Sequence, residues 1–75
     1  MTDDALDAAL LAAHDAQDGP ALACLYRQAG TLRLDAGDID AGCFYLVQAY
    51  VWALDCGAPE ADDIRAILVA YGREA

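Results

Sequence analysis

Lysine is absent from this chain. The only basic side chains besides His14 are Arg27, Arg33, Arg65 and Arg73, set against 13 acidic ones, for a formal net charge of −9. Nucleic-acid binding needs clustered Lys or Arg to displace counterions from phosphates, and four scattered arginines do not supply that. An anionic membrane surface repels such a chain for the same reason. No run is long enough to span a bilayer. Ala41 to Leu54 is largely apolar, but it is too short and contains Gln48. The opening Met1-Thr2-Asp3-Asp4 is acidic where a signal peptide is basic, so the expected location is cytoplasmic. Ala and Asp richness without Lys also fits a GC-rich bacterial genome. The three cysteines, Cys24, Cys43 and Cys56, are odd in number and form no Cys-x-x-Cys pair. That argues against a disulfide framework or a zinc site. Strand formers are sparse, and no linker or low-complexity stretch breaks residues 1–75, so one domain is expected.

What the chain does have is apolar residues, 59% of the total, many of them Ala. Ala is the best helix former, so the fold class expected is all-α. Four helices follow from caps, breakers and periodicity. Thr2 can cap the first, which runs to about Gln17 with Leu6, Leu10 and Ala13 on one face. Asp18-Gly19-Pro20 separates it from the second, about Pro20 to Ala36, whose stripe is Leu22, Leu25, Tyr26, Ala29 and Leu32. Gly37 ends that helix and Asp38 caps the third, Ile39 to about Cys56. The third is apolar nearly all the way round, so it is either central or covered by another chain. Gly57 and Pro59 lead into the fourth, with Ile64, Ile67, Leu68 and Tyr71 as its stripe. Short turns make neighbouring helices antiparallel.

Residues Ala23 to Ala49 resemble a tetratricopeptide repeat. Tyr26, Ala29 and Gly30 stand where that family has an aromatic and then a Leu-Gly pair. Gly37-Asp38-Ile39 matches its inter-helix turn, and Gly42, Leu46 and Ala49 fill its small, large, small slots. Arg33 stands where the family has an aromatic. Pro20 falls where a preceding repeat closes, and the fourth-helix stripe copies a first-helix core one turn late. The resemblance implies a helical array, with a plain four-helix bundle as the alternative. Gly30 costs roughly 1 kcal/mol in helix propensity relative to Ala, and close approach of the facing helix at Gly42 accounts for keeping it.

No nucleophile–base pair or ligand cluster is apparent, so neither catalysis nor a metal or other cofactor is expected. His14 reads as a solvated helix-face residue. The acidic groups Asp3-Asp4-Asp7, Asp35-Asp38-Asp40 and Glu60-Asp62-Asp63 sit at helix starts and turns, where capping and the helix dipole explain them. The resemblance implies a protein partner, bound on the inner face of the second helix through Cys24, Arg27, Thr31, Leu34 and Asp35. Arg27 is placed there to meet a ligand carboxylate. The alternative is a homodimer that pairs through the aromatic third helix, with Tyr50 and Trp52 as the self-interface candidates.

Overall fold

A computed structural model describes residues 3–73. The expected helices are there: α1 (Asp3–Asp15), α2 (Gly19–Asp35), α3 (Ile39–Asp55) and α4 (Glu60–Ala70). Thr2 lies outside the described residues. Asp18 caps α2 by accepting a hydrogen bond from the Ala21 amide at 3.2 Å, and Asp38 caps α3 in the same way from Ala41 at 3.2 Å. Pro59 precedes α4 without a side-chain cap bond. All four helices close alike. The amides of Asp18, Asp38, Ala58 and Arg73 donate back to the carbonyls of Ala13, Arg33, Ala53 and Leu68, and the first three of these bonds recur every twenty residues. That closure needs a left-handed residue just before it. Gly37 (φ 84°) and Gly57 (φ 70°) supply it after α2 and α3, whereas Gln17 (φ 53°) takes it after α1.

Helices α2 and α3 form the main hairpin, and their crossing explains two sequence positions. A methyl group on Gly30 would sit 2.8 Å from Leu46 Cγ and 3.0 Å from the Gly42 carbonyl oxygen. One on Gly42 would sit 2.7 Å from Leu34 Cγ and 3.1 Å from the Gly30 carbonyl oxygen. The two glycines therefore face each other, and neither backbone leaves room for a side chain. Helix α1 packs on α2, and α4 packs on α3.

The core is thin and made largely of small residues. Ala13, Ala23, Ala29, Ala49, Ala53 and Ala61 are buried, and the largest fully buried side chains are Leu22, Leu46, Ile64 and Leu68. Aromatic side chains sit at its margin, with Tyr26, Tyr50 and Trp52 half-buried against it. Two stripe residues depart from expectation. Leu32 is 41% exposed and Tyr71 is 43% exposed. Leu32 falls on the side of α2 turned away from Gly30, and Tyr71 lies past the last turn of α4. Arg73, beyond the helix end, pairs with Asp40 at the start of α3 and so ties the two helices together. Its hydrogen bond to Asp40, reinforced by the carboxylate charge, raises the Arg73 pKa above its ordinary value. The pair is exposed, so its contribution to stability is small.

The crossing predicts the effect of a single methyl. Gly30→Ala gains roughly 1 kcal/mol in helix propensity. It must also push aside a fully buried Leu46 and a backbone carbonyl, and overpacking of this kind costs roughly 1–3 kcal/mol or more. With backbone involved the upper end applies, and the melting temperature should fall by on the order of 10 °C. Thermal unfolding followed by circular dichroism checks this; an unchanged curve would mean that the helices do not approach so closely.

Candidate functional site

The side of α2 turned away from α3 carries an open cavity. It has a volume of about 350 Å³ and is lined by Cys24, Arg27, Gln28, Thr31 and Leu32. A second cavity of about 170 Å³ shares Cys24 and Arg27 with it and continues along Pro20 and Ala23 to Ala58, Glu60 and Ile64. Together they form a groove that begins on α2 and runs between α2 and the start of α4. Spacing explains the α2 wall: positions 24, 27, 28 and 31 recur at three- and four-residue steps and so share one face.

Three of the five residues expected on this face, Cys24, Arg27 and Thr31, line the groove. Leu34 does not. Its side chain turns toward α3 and occupies the space left by the missing side chain of Gly42. Asp35 continues the stripe one turn beyond Thr31 but is exposed at the end of α2, outside both cavities. Sequence reasoning missed Gln28 and Leu32. Gln28 was legible from its four-residue spacing to Cys24, and its amide nitrogen donates to Cys24 Sγ at 3.5 Å. Leu32 has the hydrophobicity of a core-stripe residue, and nothing in its sequence position marks it as a groove residue.

Electrostatics single out Arg27. Arg73 is held by Asp40, and Arg33 and Arg65 each have interactions of their own. Arg27 is half-buried, lines both cavities and has no hydrogen-bond or ion-pair partner among the described residues. The nearest acid in the groove wall is Glu60, at the start of α4. Chemically the groove presents a cation between apolar walls, one formed by Leu32 and the other by Ala23, Ala58 and Ile64.

The aromatic residues fall elsewhere. His14 is exposed, as expected, yet it is not merely solvated. Its Nε2 lies 2.9 Å from the Tyr26 hydroxyl, and its ring meets those of Tyr26 and Trp52 edge-on at 5.9 and 6.1 Å. Tyr26 in turn stacks on Tyr45 at 6.3 Å. This cluster fastens α1 to the hairpin. It also holds Trp52 half-buried, and Tyr50 packs against the core, so neither self-interface candidate stands on the outward side of α3. The exposed large side chains of that helix are Phe44, Val47, Val51 and Leu54.

Among the described residues no group of three or more His, Cys, Asp or Glu is placed to hold a metal ion. No helix there is long and apolar enough to cross a membrane. Compared with known proteins, the chain matches no family model, no curated protein and no solved structure.

Thiol reactivity should follow the geometry. Cys24 opens into the groove, Cys56 is exposed but directs Sγ at the Ala53 carbonyl 3.6 Å away, and Cys43 is 2% exposed. Alkylation of the native protein followed by mass spectrometry should label Cys24 first, Cys56 next and Cys43 only as the chain opens. Equal rates at all three would contradict the burial of Cys43.

Proposed function

We propose that the chain is a small, non-catalytic protein-binding module of tetratricopeptide type, which takes an extended segment of a partner protein in the α2–α4 groove. The observation that carries this reading is Arg27, a half-buried cation shared by two adjoining cavities and without a partner among the described residues. In a chain of net charge −9, with acids to spare, a cation left in an apolar groove suits an incoming carboxylate. The apolar walls on either side suit the neighbouring side chains of the same ligand.

The helix arrangement supports the repeat reading. The second and fourth helices share one groove, and the turns recur at an even interval. The unit between Asp18 and Ala58 spans forty residues, longer than the roughly 34 of a tetratricopeptide repeat. The extra length accounts for the fourth-helix core, Ile64, Ile67 and Leu68, starting a turn late.

A peptide library displayed with free C-termini and selected on the immobilised protein tests the reading. Selected peptides should carry a carboxylate beside an apolar residue, and amide shifts in a nuclear magnetic resonance titration should cluster at Ala23, Cys24, Arg27 and Thr31. Arg27→Gln should weaken the best peptide by roughly 10-fold or more, the worth of a charge-assisted hydrogen bond. Selection that enriches no sequence, or equal affinity of the variant, would dismiss the groove as a binding site.

A further inference from the structure

Helix α3 is bordered on three sides. Helix α2 lies behind it, α4 packs along one flank, and α1 reaches the other through His14 against Trp52. The fourth side is open. It carries Phe44, Val47, Val51 and Leu54, which are 61, 37, 53 and 57% exposed. Their steps of three, four and three residues set them in one seam along the helix, the spacing that two paired helices use. No charge lies on α3 between Asp40 and Asp55. Four large apolar side chains in an uninterrupted row are not the scattered exposure of an ordinary surface.

We infer that this seam is a self-association surface, and that its occupant is the same seam of a second copy, packed antiparallel about a two-fold axis between Val47 and Val51. The seam is complementary to itself in that orientation. Val47 of each copy meets Val51 of the other at the centre, and Phe44 at one end meets Leu54 of the second copy. Charge selects the same orientation. A parallel pair would set Asp40 against Asp40 and Asp55 against Asp55. The antiparallel pair brings Asp55 of one copy within about a helical turn of the Arg73–Asp40 pair of the other, twice by symmetry, and so gives Arg73 a second carboxylate. A strongly basic partner would instead need acids along the seam, and there are none. A strip one helix wide falls short of the roughly 800 Å² that each member of a tight pair buries, so the pair expected is a modest one that dissociates in the micromolar range. A two-fold pair is also the commonest closed assembly.

Sedimentation equilibrium of the full chain between about 1 and 100 μM is the test, with circular dichroism to confirm that each variant stays folded. The protein should approach twice its 7.9 kDa mass as the concentration rises. Val51→Asp, at an exposed position, should keep the helical spectrum and raise the dissociation constant by about 100-fold or more, because each copy then buries an unpaired charge against Val47 of the other. Arg73→Glu should weaken the pair, and adding Asp55→Arg to it should restore the pair if the helices run antiparallel. A monomer throughout the range, or a dimer indifferent to Val51→Asp, would overturn the assignment; failure of the double variant to restore what Arg73→Glu removes would overturn the antiparallel orientation.

Discussion

Two glycine backbones in contact set the geometry of this molecule. Where α2 crosses α3, Gly30 and Gly42 face each other with a carbonyl oxygen of each about 3 Å from where the other's side chain would begin. Nothing larger than hydrogen fits between them, so the hairpin closes to backbone contact. Leu46 and Leu34 then fill the space on either side of the crossing, one fully buried and one half-buried. Close approach multiplies weak dispersion contacts between the helices, which offsets the propensity lost by placing Gly in mid-helix.

The same closeness decides which side chains the core can hold. Helices this near each other admit Ala, and half of the buried apolar set is Ala, beside Cys43 and five larger aliphatics, Leu6, Leu22, Leu46, Ile64 and Leu68. Tyr26, Tyr45, Tyr50 and Trp52 are too large for the gap between the helix pairs and settle into the seams, half in and half out. There they fasten the flanks: the His14–Tyr26–Trp52 cluster joins α1 to both helices of the hairpin. A chain of this length buries only roughly 60% of its unfolded surface, so such marginal contacts matter more than they would in a larger domain.

Much of this architecture was legible in the sequence, because it depends on local rules. Asp18 and Asp38 announce helix starts, Gly37 and Gly57 announce stops, and a pair of mid-helix glycines announces a close crossing. Positions that depend on helix rotation were not legible. Leu32 and Leu34 are the same residue type two positions apart, yet Leu32 faces the groove and Leu34 faces α3. On α3, hydrophobicity all round the helix hides which aromatics face outward: Phe44 stands exposed, whereas Tyr50 and Trp52 are half-buried. His14 had no sequence signal for its partner, because Tyr26 comes to it from twelve residues away through the turn between two helices.

The groove and the seam lie back to back, and this bears on how they can work together. Gly30 faces α3, so Cys24, Gln28 and Thr31 look away from it, while Phe44 and Val51 look away from α2 on the other side of the hairpin. A ligand in the groove and a second copy on the seam therefore do not compete for space. Pairing through α3 would leave two grooves open on opposite outer faces of one rigid body. A partner that carried two suitable segments, with a connecting chain long enough to pass round the pair, would bind with the second step made intramolecular, and its avidity would exceed the affinity of either groove alone. Under the proposed function, a single groove of about 350 and 170 Å³ would hold only a short stretch of chain. Doubling the grooves would then let so small a chain hold a partner firmly without a longer array of repeats.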